Sequence, residues 1–137
     1  MREEQLLLAA RGAMQQAHAP YSGFRVGAAV LCLDGSVVTG CNVENASYGL
    51  SMCAERVAIF RAIAEGKRHF QMMAVVADTP QPVSPCGACR QVMAEFFSDE
   101  TPVHLANTQG NRTQVNMSEL LPRPFRPSSF LKGDVST

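Results

Sequence analysis

Apolar positions in residues 2–18 recur at Leu7, Ala10, Met14 and Ala17, steps of three and four that make one stripe of an amphipathic helix. Pro20 stops it, because proline has no N–H to donate. Gly12, inside the helix, costs about 1 kcal/mol relative to Ala, which predicts close packing at that turn. The period then changes. Residues 24–33 are largely apolar with β-branched Val26 and Val30, and Asp34-Gly35 supplies a turn before 36–42, so two antiparallel strands are predicted. Residues 43–49 lose the periodicity and read as an ordered polar loop. Ala54, Val57, Ala58, Ile59, Ala62 and Ile63 predict a buried helix over 53–64, with Gly66 as its C-cap.

The run Met72-Met73-Ala74-Val75-Val76-Ala77 is too continuous for a strand with one wet face, so 69–77 is predicted as a central strand. Val92, Met93, Phe96 and Phe97 place a second helix over 86–97, followed by a strand over 101–106 that would run parallel to 69–77. A turn at Gln109-Gly110, a short strand at 113–115 and a turn of helix at Glu119-Leu120-Leu121 follow. Pro122-Arg123-Pro124-Phe125-Arg126-Pro127 cannot propagate a helix. The expectation is an α/β fold with three α/β/α layers, a mixed central sheet of about five strands, and a single domain over 1–137.

Composition narrows the function by exclusion. Twelve basic against twelve acidic residues leave no electrostatic footprint for a polynucleotide or an anionic lipid surface, so neither nucleic acid nor membrane is an expected partner. Met1-Arg2-Glu3-Glu4-Gln5 lacks the profile of a signal peptide, and no apolar run approaches the roughly 20 residues that span a bilayer. A cytoplasmic location is expected. In a reducing compartment the five cysteines are better explained by a metal site with spare thiols than by disulfides.

Cys53-Ala54-Glu55-Arg56 and Pro85-Cys86-Gly87-Ala88-Cys89-Arg90-Gln91 carry the chemistry. Soft thiolates at Cys53, Cys86 and Cys89 select zinc, and three protein ligands are the set of a catalytic site, which leaves its fourth position to water. Glu55, two residues from Cys53, suits a proton shuttle better than a mere partner of the helix dipole. Three thiolates on a divalent ion leave a net charge of about −1, and Arg56 is placed to offset it by donating to sulfur, with Arg90 and Gln91 as lesser candidates. His18, His69 and His104 have no companion ligand at useful spacing and are expected to be solvated or satisfied. A structural module remains open in which Cys32 or Cys41 completes a four-sulfur site.

Together with Pro20-Tyr21-Ser22-Gly23-Phe24-Arg25-Val26-Gly27-Ala28-Ala29, Gly40-Cys41-Asn42-Val43-Glu44-Asn45-Ala46-Ser47-Tyr48-Gly49, and Glu119-Leu120-Leu121-Pro122 followed by Phe125, these motifs resemble the small homotetrameric zinc-dependent cytidine deaminases along nearly the whole chain. The resemblance implies one zinc ion per subunit and hydrolytic deamination of cytidine and 2′-deoxycytidine in pyrimidine salvage. A zinc-bound hydroxide would attack C4 while Glu55 moves the proton to N3. It further implies that Asn42 and Glu44 hold the ribose hydroxyls, that Phe24 lines the pyrimidine pocket and that the Ala54 N–H receives the ring carbonyl. Tyr48 would help build a neighbour's site, and Phe125 would cross the interface to stack on the base, so active sites are shared in a homotetramer. A carboxylate at the sugar welcomes a nucleoside and repels a 5′-phosphate. The tail departs from the family: Arg123, Pro124 and Arg126 surround Phe125 where small residues are usual, and solvated arginines are the expectation. A related deaminase acting on blasticidin S or another modified aminopyrimidine nucleoside is the alternative.

Overall fold

In the computed structural model, which describes residues 2–130, helix α1 (Arg2–Met14) precedes a hairpin of β1 (Val26–Cys32) and β2 (Val37–Cys41). Helix α2 (Ala54–Ala64), β3 (Phe70–Ala77), α3 (Gly87–Phe96) and β4 (Pro102–Asn107) alternate after it. The described chain closes with β5 (Arg112–Asn116), the short α4 (Met117–Leu120) and a 3₁₀ turn at Pro127–Ser129. The five strands form one mixed sheet in the order β2-β1-β3-β4-β5, with β3 central and parallel to β4, and every other pair antiparallel. This is the expected parallel pair.

Alternation of side chains across the strands builds a core on each face. Ala28, Val30, Met73 and Val75 meet Ala58 and Ile59 of α2 and Met93 of α3, while Ala29, Leu31, Ala74 and Val76 meet Leu6, Ala10 and Met14 of α1. The layers are therefore α1, sheet, and the α2–α3 pair, as predicted. Phe97 and Met73 are core residues, as their apolar runs implied.

Several local expectations are corrected. Helix α1 ends at Met14, where Gln15 and Gln16 turn back with bonds to the carbonyls three residues earlier, so residues 15–18 and Ala17 lie outside it. Its buried stripe is Leu6, Ala10 and Met14, with Leu7 only half-buried. Three successive leucines offer several phases, and packing against the sheet selects one. Close approach occurs on the strands rather than at Gly12, where an added Cβ would meet nothing within 4 Å. A Cβ on Gly27 would lie 2.6 Å from the Met14 amide, and one on Gly40 would lie 2.8 Å from the Ala54 carbonyl oxygen. These two glycines set how near α1 and α2 sit to the sheet.

Gly66 does end α2, with φ +90°, and the Gly66 and Lys67 amides close on Ile63 and Ala62 at 3.0 and 2.9 Å. The loop after β2 is ordered by bridges from Val43 to His18 and to Met52, and by a 3₁₀ turn at Tyr48–Leu50.

Candidate active site

Cys53 and Cys86 are the residues immediately before the first turns of α2 and α3, and neither side chain caps its own helix. Ser or Asp there would satisfy an amide and stabilise the helix by about 1 kcal/mol. The chain forgoes that cap and turns sulfur towards sulfur. Cys53 Sγ lies 3.8 Å from Cys86 Sγ, and Cys86 Sγ lies 3.5 Å from Cys89 Sγ, with all three within 4.8 Å of one another. Zinc–sulfur bonds of about 2.3 Å in a tetrahedron require edges of about 3.8 Å, so the triangle fits zinc. Both helix N-termini add positive potential where thiolates are needed.

The sulfurs do not ionise as equals. Hydrogen bonding with the Cys89 thiol, then from Arg56 and Cys86, pushes Cys53 down to about 5 against its burial. Hydrogen bonding to Cys53, together with burial, pushes Cys89 far up. The chain alone favours the thiolate at Cys53 and the thiol at Cys89, and ionising Cys89 beside it requires a further positive charge, which a divalent cation supplies. Arg56 donates from Nη2 to Cys53 Sγ at 3.5 Å, and the sulfur in turn raises its pKa. Its buried Nε has no hydrogen-bond partner among the described residues.

Cys32 and Cys41 are not in the group, so a four-sulfur site is not assembled among the described residues. Cys32 is instead sealed in the core. Arg90 and Gln91 do not touch the sulfurs either. Arg90 reaches the Pro85 and Leu120 carbonyls at 2.7 and 2.8 Å and Ser84 Oγ at 2.7 Å, while Gln91 bonds the Phe125 backbone. His18 and His69 are exposed, and His104 sits half-buried in β4, where desolvation lowers its pKa.

A cleft of about 250 Å³ opens beside the sulfurs, lined by Cys53, Ala54, Glu55 and Cys86 and by Phe24, Asn42 and Glu44. Larger space exists elsewhere, including a hollow of about 580 Å³ around Lys67 and Arg68, but it contains none of the three grouped sulfurs. Chemistry rather than size identifies the site. Glu55 is 5% exposed, and burial, aided by the nearby Cys53, pushes its carboxyl from an ordinary 4.5 to about 7. A carboxyl poised there can both take and return a proton near neutral pH.

Asn42 and Glu44 are tied down before any ligand arrives. Asn42 accepts from the Val26 amide at 2.9 Å and donates to the Phe24 carbonyl at 2.7 Å, which joins the end of β2 to the start of β1. Glu44 accepts from the amides of Tyr21 and Ser22 at 3.0 and 3.1 Å and from the Ser22 hydroxyl, whose hydrogen bond lowers the carboxyl's pKa. Met52, Val83 and Ser84 also line the cleft and carried no sequence signal, since each comes from an irregular segment. Tyr48 and Phe125 do not line it. Tyr48 is 60% exposed with its ring edge-on to Tyr21, and Phe125 is 63% exposed and stacked on Phe130.

Residues 1–105 match the family model described as the cytidine and deoxycytidylate deaminase zinc-binding region. A cytidine deaminase of Halalkalibacterium halodurans is 54% identical over 125 residues, covering 91% of this chain and 95% of that protein. One from Sporosarcina psychrophila is 50% identical over 133 residues, covering 97% and 94%. Among solved structures, the cytidine deaminase of Burkholderia pseudomallei superposes with a TM-score of 0.88 at 50% identity, over 91% of this chain and 100% of that one. The sulfur triangle, the buried carboxyl beside it and these likenesses agree, and the chain belongs to the cytidine and deoxycytidylate deaminase zinc-binding family.

Proposed function

We propose that this chain deaminates cytidine and 2′-deoxycytidine hydrolytically, giving uridine or 2′-deoxyuridine and ammonia, as part of cytoplasmic pyrimidine salvage. The observation that carries the reading is the buried Glu55 sharing one cleft with Cys53 and Cys86, and with Cys89 behind them. Cys53, Cys86 and Cys89 would hold zinc, which when bound supplies a water acidified towards neutral pH. Glu55 takes a proton from water and delivers it to ring N3. It then takes the second proton from the hydroxyl now on C4 and passes it to the amine nitrogen, so that the C4–N bond breaks, ammonia leaves and C4 keeps a carbonyl oxygen. Arg56 donates to sulfur and so offsets the excess anionic charge of three thiolates.

The Ala54 N–H, in the first turn of α2 and without an intrahelical acceptor, receives the ring carbonyl. Asn42 keeps a second N–H and Glu44 keeps lone pairs beyond their internal bonds, enough to orient sugar hydroxyls. Phe24 packs against the pyrimidine. Tyr48 and Phe125, exposed and outside their own cleft, complete a neighbour's site in a homotetramer. Arg126 pairs with Asp99 at 2.6 Å instead of standing as a free cation, which favours a nucleoside over a nucleotide.

The test is a substrate panel of cytidine, 2′-deoxycytidine, cytidine monophosphate and blasticidin S on zinc-loaded protein. Turnover of the two plain nucleosides, with the monophosphate poorly used, is the expected result. Turnover of blasticidin S alone would transfer the assignment to a modified nucleoside.

A further inference from the structure

Phe125 lies in a segment whose prolines, Pro122, Pro124 and Pro127, lack N–H donors and prevent any regular backbone ladder. Yet both backbone polar groups of Phe125 are bonded, and to a single side chain. Gln91 Nε2 donates to the Phe125 carbonyl at 2.8 Å, and the Phe125 amide donates to Gln91 Oε1 at 3.2 Å. Gln91 sits on α3, two residues beyond the zinc-ligand candidate Cys89. The flanking tail is pinned to the same region: Arg90 holds the Leu120 carbonyl at 2.8 Å, and Arg126 pairs with Asp99 at 2.6 Å. The Phe130 ring stacks on Phe125 with centroids 5.5 Å apart and planes 10° off parallel. One face of the Phe125 ring is thereby partly covered, the residue remains 63% exposed, and no second ring stacks on its other, free face among the described residues.

We propose that Gln91 is a positioning residue: its carboxamide fixes the Phe125 backbone against the zinc-binding helix, so that the free face of the ring is presented to a nucleoside base. The inference rests on the reading of Phe125 as the base-stacking residue of a neighbouring subunit. A primary amide is the one uncharged side chain that donates and accepts through adjacent atoms, which a backbone N–H and C=O of one residue require together. Methionine matches its length and offers neither bond, and glutamate keeps the acceptor but loses the donor. Because α3 also carries Cys89, with Cys86 at its start, the base contact lent to one subunit and the metal site of the lender share one element.

The experiment compares Gln91→Met, Gln91→Glu, Phe125→Ala and the Gln91→Met/Phe125→Ala double variant in the full-length zinc-loaded protein. KM and kcat for cytidine, zinc content and melting temperature are measured for each. A lost or misplaced stack weakens ground state and transition state alike, so Gln91→Met is expected to raise KM by about 2- to 10-fold with kcat and zinc content unchanged. Gln91→Glu should fall between wild type and Gln91→Met. The double variant should bind cytidine no more weakly than Phe125→Ala alone, because Gln91 acts through Phe125. Wild-type KM in Gln91→Met, KM increases that multiply in the double variant, or loss of zinc from Gln91→Met would each overturn the proposal. A normal KM in Phe125→Ala would instead reject the stacking reading itself, and the role of Gln91 with it.

Discussion

Gly40→Ala tests whether the spacing between sheet and helix controls the chemistry from behind the site. Gly40 is buried in β2 against α2, and its added methyl would lie 2.8 Å from the Ala54 carbonyl oxygen and 2.9 Å from Ala58 Cα. Non-bonded carbon contacts are comfortable only at about 3.5–4.0 Å, so α2 must retreat by roughly 0.5–1 Å. Overpacking of this kind costs about 1–3 kcal/mol of stability. The same retreat carries Cys53, Glu55 and Arg56 away from Cys86 and Cys89, which α3 holds in place. A misplacement near 1 Å lowers turnover by about 10²-fold. Urea unfolding and kcat/KM for cytidine at saturating zinc measure the two effects. The atoms met are backbone, so adding Ala58→Gly should rescue neither. Gly12→Ala is the control: nothing lies within 4 Å, and the substitution should stabilise α1 by about 0.5–1 kcal/mol. Wild-type stability and turnover in Gly40→Ala, or rescue by Ala58→Gly, would show that the spacing of β2 and α2 does not set the site.

Glu55→Gln should keep zinc and lose about 10²- to 10⁴-fold in kcat, read by steady-state kinetics at matched zinc content. In zinc-free protein the folded chain keeps the Glu55 proton up to about pH 7, whereas the ordinary carboxyl releases it near 4.5. The group's contribution is therefore fully present below pH 4.5 and falls by about 3 kcal/mol as pH rises through 7. Glu55→Gln should remove that decline, and equal decline in both proteins by urea unfolding at pH 5 and 8 would contradict the burial argument. Cys86→Ser and Cys89→Ser should lose zinc and stability together, while Cys41→Ser retains zinc by elemental analysis. Arg56→Gln should retain zinc but slow turnover and move the acidic limb of its pH profile upward; an unchanged rate and profile would confine Arg56 to packing.

The elements were legible in the sequence where periodicity is strong. The apolar run of β3 and the parallel β3–β4 pair appear where residues 69–77 and 101–106 predict them. The zinc triangle was legible because Cys53 and Cys86 immediately precede two helices and Cys89 lies in the first turn of the second, so local spacing fixes much of their geometry. The phase of α1 was not, since Leu6, Leu7 and Leu8 suit several stripes and the fit of Gly27 under the helix decides among them. Gly12 misled for the same reason: a glycine's purpose depends on what lies across from it. The bonds of Gln91 to Phe125 and of Arg90 to Leu120 join residues 34 and 30 apart through irregular chain, where no period announces a partner. Asn42 was visible as the end of a predicted strand and Glu44 as a polar residue in the loop after it, but their bonds to Phe24, Val26, Tyr21 and Ser22 depend on the hairpin being folded.

Hydrolysis at C4 of cytidine by a site built from Glu55 and three cysteine sulfurs would leave an isotopic record in the product. Turnover of cytidine in ¹⁸O-labelled water, by zinc-loaded wild type and Glu55→Gln at equal zinc content, measures it directly. The expected result is one labelled oxygen at C4 of each uridine, one ammonia released per uridine, and a rate at least about 10²-fold lower in the variant. Uridine without the label, or equal rates in the two proteins, would contradict it.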